Sequence, residues 1–289
     1  MRSLLRDREA CMACVEGSPA AVAVHNKPQW LSLFADCAVV EDPVGSKPQI
    51  NLCDDRGQSP LGRFYETFIA KNEIRFHVEH DVVCAGAVVR DLDIEIRMSA
   101  KVSVRVPMHL LYELTAEGGE VRIKRLAAHW ELAPMVRQQM RYGLASALVG
   151  LHSFWRMFKH MGLSGIQGFA QARQTIGDTG KDKAQGFVTA FNSKNEKALS
   201  ALFATDGMVA WPYGHDCTAS EWHLPQGVLR VEKLLSAGRV TTATVYYQNG
   251  EQQQRGVALF QFDRQKLLLR RVQFFIETGD RSDSLATAS

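Results

Sequence analysis

The 289-residue chain lacks several features that would place it in a specialised class. It has six cysteines, Cys11, Cys14, Cys37, Cys53, Cys84 and Cys217, too sparse and irregular for a disulfide framework, so a reducing compartment is expected. Cys11 and Cys14 form a CxxC that could serve redox or metal chemistry. No second CxxC or histidine pair follows at zinc-site spacing, which favours two cysteines on one face of an N-terminal helix. No run of apolar residues reaches bilayer length. The most apolar stretch, Gly143 to Trp155, falls short of the roughly 18–20 residues that span a membrane and is ended by Arg156 and Lys159. The opening MRSLLRDREAC has charges where a secretory leader needs its apolar core, so a soluble, cytoplasmic protein is expected. There is little net charge: +3 is too small to imply nucleic-acid binding without a clustered basic face.

What is present is ordinary globular material, 46% hydrophobic and 22% charged, enough for two cores. Those cores announce themselves as a repeat. LFADCAVVEDPVG at Leu33–Gly45 returns as LFATDGMVAWPYG at Leu202–Gly214. In each copy an apolar helical periodicity leads into a short strand that stops at a Pro-x-Gly turn, Pro43 to Gly45 and Pro212 to Gly214. A second helical pattern is expected at Leu61–Lys71 and again at Gln226–Leu235. Strands then follow, at Arg75–Cys84, Ala87–Met98, Lys101–Leu114 and Val121–Glu131 in the first copy, with a hairpin turn at Ala116–Gly119. In the second copy they fall at Val240–Gln248, Arg255–Asp263 and Leu267–Thr278. The fold class is therefore α+β: two tandem domains, each a curved antiparallel sheet with helices on its concave face. The expected division is 1–132, a helical connector 133–179, a second domain 180–280 and a disordered tail 281–289.

The connector differs in composition. From Leu132 to Gly177 there is no acidic residue, while Arg137, Arg141, Arg156, Lys159 and Arg173 are present. These five exceed the net charge of the whole chain, so the rest of the chain sums to a small negative charge. A basic amphipathic helix can meet a membrane surface or a partner. The reading favoured here is that its apolar stripe, Leu144, Leu148, Leu151, Trp155 and Phe158, packs on one or both domains.

Chemistry concentrates at Glu41-Asp42-Pro43-Val44-Gly45. A carboxylate at the end of a strand, aimed into an apolar concavity, can be desolvated into a competent base. An Asp-Pro pair is also a common turn initiator. The surrounding string decides between them. LFADCAVVEDPVGSKP followed by GRFYETFIA resembles the bacterial ketosteroid isomerases of the nuclear transport factor 2-like superfamily, over roughly residues 20–132. The second copy resembles the same superfamily more loosely.

The resemblance implies a cone-shaped domain with an apolar pocket. It also implies steroid Δ-isomerase chemistry: a carboxylate moves a proton along a 3-ketosteroid, or a similar apolar ketone, through an enolate stabilised by aimed donors. Asp42 matches the family's base. The family's oxyanion tyrosine falls near Ser18, and no tyrosine precedes Tyr65. Tyr65 matches a supporting tyrosine, and His109, in Val106-Pro107-Met108-His109, stands in place of the family's protonated acid if the register holds; a slip of one residue turns Leu110 inward instead. Phe34, Phe64, Phe76, Met98, Met108 and Trp130 are candidate pocket lining. In the second copy Phe187 and Trp211 occupy the tyrosine and base positions, so that domain is expected to be catalytically silent. Its His215, Asp216, Cys217, Glu221 and His223 lack a metal-site spacing. No metal and no organic cofactor are expected. The expected partner is a steroid-like apolar small molecule, not nucleic acid; the connector is where a membrane or protein contact would fall, and the two copies could pair within the chain. Related folds also host dehydratases, polyketide cyclases and hydrolases, and a non-catalytic ligand-binding or scaffold pair is the remaining alternative.

Overall fold

The computed structural model describes residues 3–53, 57 and 59–277. The expected tail 281–289 lies outside the described residues, as does Thr278 at the end of the last expected strand. Helix α1 (Arg8–Ala23) starts where the Asp7 carboxylate accepts from the backbone of Glu9 and Ala10, and α2 (Lys27–Ser32) starts on the Asn26 side chain in the same way. Strand β1 (Phe34–Glu41) and the short β2 (Gln49–Ile50) follow, then α3 (Pro60–Phe64), which runs into a π-turn at Tyr65–Ile69. The meander β3 (Glu73–Cys84), β4 (Ala87–Ser99), β5 (Val102–Glu117) and β6 (Glu120–His129) completes a six-stranded sheet ordered β2-β1-β6-β5-β4-β3. The sheet is antiparallel except that β1 and β6 run parallel, because the meander starts at the far edge and returns beside β1 in the same direction. The β5–β6 hairpin turns at Gly118 and Gly119, both at positive φ, as the sequence anticipates.

Two connector helices come next, α4 (Leu132–Met140) and α5 (Leu144–Ala170), separated at Gly143; α5 is kinked at Gly162. The second domain repeats the first in reduced form: α6 (Gly177–Asn192), α7 (Glu196–Leu202), β7 (Phe203–Ala210), β8 (Asp216–Thr218), β9 (Val228–Ala237), β10 (Val240–Asn249), β11 (Gln252–Phe262) and β12 (Leu269–Ile276). Its strand order, β8-β7-β12-β11-β10-β9, is that of the first sheet, with β7 and β12 parallel.

One expected helix is a strand. Gln226–Leu235 falls largely in β9, which pairs with β10 from Val240↔Ala237 to Gln248↔Val228. The register shifts between Ala243 and Val245, so two residues of β9 oppose one of β10 and the two-residue period breaks. Val231 and Leu234, three residues apart, both reach the core across that bulge, a spacing that imitates one turn of a helical face.

The two sheets lie back to back. Val82, Val89, Leu111 and Ala127 of the first meet Ala237, Val257, Leu259 and Phe275 of the second in one apolar cluster. Gly45, at φ +92°, sits so close to this seam that a Cβ there would come within 2.6 Å of the Gly238 Cα. Within the seam Asp91, 1% exposed, is 2.7 Å from both Lys233 Nζ and Arg255 Nη2 and accepts from the Thr244 hydroxyl at 2.7 Å. Burial alone would raise this carboxyl; His109, the two cations and the Thr244 bond outweigh it and hold it at about 2, against an ordinary 3.8. Its stabilising contribution is thus complete above pH 4 and is lost as the pH falls toward 2. Asp91→Ala, which removes the buried carboxylate that Lys233 and Arg255 share, is expected to cost about 3 kcal/mol in urea unfolding at neutral pH, with a smaller cost at acid pH.

Candidate functional site

A cavity of about 280 Å³ lies between the concave face of the first sheet and the helices that cover it. That is close to the lower bound of the roughly 300–1,000 Å³ typical of small-molecule pockets. Val40, Ile94, Ile96, Met108 and Leu110 rise from the strands, and Trp30, Phe64 and Phe68 close the helical side. The connector supplies the remaining wall through Leu132, Met135, Gln139, Ser153, Met157 and Phe169. The walls are mostly hydrocarbon, with a few polar groups set into them.

Asp42 is the carboxylate among them. It follows the last residue of β1, precedes a cis Pro43, and lines the cavity. Trp130, just past β6, donates from Nε1 to Asp42 Oδ1 at 2.6 Å. Desolvation raises the carboxyl from 3.8 to about 6, and the indole bond opposes the rise. The group is therefore largely ionised at pH 7 yet basic enough to accept a proton from carbon acids. The Tyr112 hydroxyl is buried on the same cavity without a well-formed hydrogen bond, and burial pushes it up to about 12. Its polar neighbour Ser18 also lines the cavity and accepts from Trp30 Nε1 at 3.2 Å. Arg156 reaches in from α5 with a buried, unpaired Nε. A base, a phenolic donor and an apolar enclosure together suit proton transfer on an apolar substrate.

The other expected site residues divide. Phe64, Phe76, Met98, Met108 and Trp130 line the cavity, but Phe34 packs edge-on against Trp30 at 4.7 Å in the core beside it. Tyr65 is not on the cavity wall; its hydroxyl is buried without a partner and its ring lies 5.4 Å from Trp30. His109 faces the opposite side of the sheet. Its ring nitrogens lie 2.7 and 3.0 Å from the hydroxyls of Thr242 and Thr244, and burial lowers it to about 3, so it is a neutral seam residue. The reason is strand alternation: with Met108 and Leu110 inward, His109 must point outward. Carrying that alternation two residues beyond Leu110 identifies Tyr112, which the sequence reading passed over. Trp130 as a donor rather than plain lining was also missed, since nothing local marks an indole N–H as aimed at Asp42.

The apolar stripe of the connector is corrected as well. Leu144, Leu148, Leu151, Trp155 and Phe158 are exposed, and the opposite face of α5 packs on the first domain. Cys11 and Cys14 are free and buried in the core under α1, where burial raises both thiols, Cys14 to about 11. In the second domain Trp211, beside the matching cis Pro212, stacks with Phe191 at 5.7 Å and contacts Phe274 at 4.4 Å. Phe187 is 6.0 Å from Trp222 and 5.4 Å from Phe260. Aromatic rings thus occupy the region that is open in the first domain. Asp216 pairs with Arg271 at 2.6 Å and Glu221 accepts from Thr218 at 2.7 Å. Among the described residues, no helix is long and apolar enough to cross a membrane.

The fold and site thus define a tandem α+β protein with one carboxylate-bearing apolar cavity. No family model and no curated protein matches the chain. Solved structures similar to it are ketosteroid isomerase-like, epoxide hydrolase and polyketide cyclase proteins. One is a Δ5-3-ketosteroid isomerase from Mycobacterium sp., at 24% identity over 42% of this chain and 93% of that one, with a TM-score of 0.34. A Mycobacterium tuberculosis protein in complex with estradiol-17β-hemisuccinate is 22% identical over 42% and 94%, TM-score 0.35. An M. tuberculosis epoxide hydrolase is 16% identical over 49% and 97%, TM-score 0.37. Each match spans a share of this chain comparable to one domain.

Trp130→Phe removes the bond that holds the carboxylate down. Asp42 is then expected to titrate above its value of about 6, as followed by carbon-13 NMR of the side-chain carboxyl.

Proposed function

We propose that the first domain is a proton-transfer enzyme of the steroid Δ-isomerase type, moving a C=C bond in a 3-ketosteroid or a similar flat, apolar ketone. The observation that carries this reading is Asp42: a carboxylate raised to about 6, held by an indole N–H and opening into an apolar cavity. Its environment suits abstraction of a proton next to a carbonyl and return of that proton further along the conjugated system. The negative charge of the intermediate enolate needs a donor in the same dry space. Tyr112 is assigned that part, because the residue lines the cavity and its hydroxyl, beside Ser18, makes no well-formed hydrogen bond. It replaces Tyr65 and His109, whose positions off the cavity wall remove them from contact with substrate. The second domain is assigned a supporting part only, since it has Trp211 where the base would be and its interior is filled by aromatic rings.

The test is conversion of a Δ5-3-ketosteroid to its conjugated Δ4 isomer, read as growth of enone absorbance. Asp42→Asn is expected to lower kcat by roughly 10²–10⁴-fold, the usual contribution of a positioned base. In the wild type, kcat/KM should rise with pH through about 6 and level off above it, since only the ionised carboxylate accepts the proton. An unchanged rate in the mutant removes Asp42 from the mechanism. Saturable steroid binding without turnover means a carrier, and turnover of a hydroxylated polyketide-like substrate instead means dehydration or cyclisation. Tyr112→Phe is expected to lower kcat by about 10²–10³-fold, the effect of losing one oxyanion donor, with little change in KM.

A further inference from the structure

The outer face of α5 is the largest feature that the cavity does not explain. Leu144, Leu148, Leu151, Phe154, Trp155 and Phe158 project from it, Leu144 at 87%, Leu151 at 65% and Trp155 at 62% exposure. Five of them follow i, i+4, i+7, i+11, i+14, a single helical crest, and Trp155 stacks on Phe158 with centroids 5.8 Å apart. An exposed apolar ridge of this kind marks an interaction site. The opposite face of the same helix has its own work: Gly150, Ser153, Arg156 and Met157 close the Asp42 cavity. The crest points away from the cavity and takes no part in closing it.

The charge around the crest selects what covers it. From Leu132 to Gly177 there is no acidic residue, and Arg137, Arg141, Lys159 and Arg173 are exposed. Two copies meeting through this crest would bring together two copies of a segment that has cations, Lys159 on the helix itself among them, and no acidic residue. An anionic lipid surface offers the opposite charge and also accepts side chains that project outward instead of forming a groove. An exposed Trp beside Phe and Leu suits the boundary between headgroups and acyl chains.

We propose that the outer face of α5 docks flat on an anionic lipid bilayer, without crossing it. The crest enters the headgroup boundary and the flanking cations meet lipid phosphates. The lid of the cavity then lies against the phase in which an apolar ligand accumulates. The docking itself does not depend on any reaction at Asp42.

The full chain is tested by flotation with vesicles of phosphatidylcholine alone and of equal parts phosphatidylcholine and phosphatidylglycerol. The wild type should be recovered with the anionic vesicles at least about tenfold more than with the neutral ones, as expected for several cations near a charged surface. The double variant Leu151→Glu, Phe158→Glu changes only exposed side chains, so its thermal melt should match the wild type while its recovery falls to the level seen without vesicles. A second readout needs no charged variant: lipids brominated near the headgroup should quench wild-type tryptophan emission, and Trp155→Phe should abolish most of that quenching. Absence of vesicle binding, equal recovery with neutral vesicles, or undiminished binding of the double variant each overturns the proposal. Self-association of the wild type that the double variant abolishes, with no vesicle binding, assigns the crest to a second copy and overturns it too.

Discussion

From Met108 to Tyr112 both faces of strand β5 are buried, and most of the geometry of the cavity and the seam depends on that constraint. A strand alternates its side chains, so covering both sides divides one sequence between two environments. Met108, Leu110 and Tyr112 fall to the cavity; His109 and Leu111 fall to the seam with the second sheet. Pairing fixes the division further, because Asp91 lies opposite His109 on β4 and Ala128 lies opposite Leu110 on β6. A one-residue slip would place His109 in the cavity and leave Asp91 without its ring neighbour, while turning Met108 and Leu110 toward the polar groups of the seam. The stable register is the one that puts apolar side chains in the cavity wall and lets the buried polar groups find partners across the seam.

The second domain makes this arrangement possible. Its sheet covers the back of the first with Ala237, Val257, Leu259 and Phe275, and it brings Lys233 and Arg255 to the buried Asp91. Its own concave side is filled by Phe187, Phe191, Trp211 and Phe274, which need no opening. Two copies of one fold have thus diverged by what occupies the space after the first strand: a desolvated carboxylate beside a cavity in one, an indole in a packed aromatic core in the other. Burying Asp42 in hydrocarbon disfavours its charged form, which costs stability and raises the basicity of the carboxylate.

The connector unites two roles that its composition alone leaves unassigned. Its inner face completes a cavity that the first sheet and its helices leave open, so residues well beyond the first repeat, such as Met157 and Phe169, belong to the site. Gly143 and Gly162, both at positive φ, break the helical path at two points and allow α4 and α5 to wrap the cavity. The apolar stripe visible in the sequence is real, but it is the opposite face that packs.

The repeat, the α+β class, the run of antiparallel strands and the placement of Asp42 at a strand end were legible in the chain because each rests on local pattern: a period of two, a period of 3.6, a Pro-x-Gly turn, a recurring string. The same patterns singled out Phe64, Phe76, Met98, Met108 and Trp130 for the cavity. Only tertiary structure decided the rest. A two-residue period states which residues share a face but not which face meets the cavity, so His109 and Tyr112 exchange roles according to packing across the sheet. A helical period states where an apolar stripe lies but not whether it is covered, so the crest of α5 could be assigned only once its opposite face was seen on the cavity. The bulge in β9 made a strand imitate a helix, and only pairing with β10 distinguished them. Local periodicity is a property of the chain by itself, whereas register, facing and coverage are free energies of contact with segments far away in sequence.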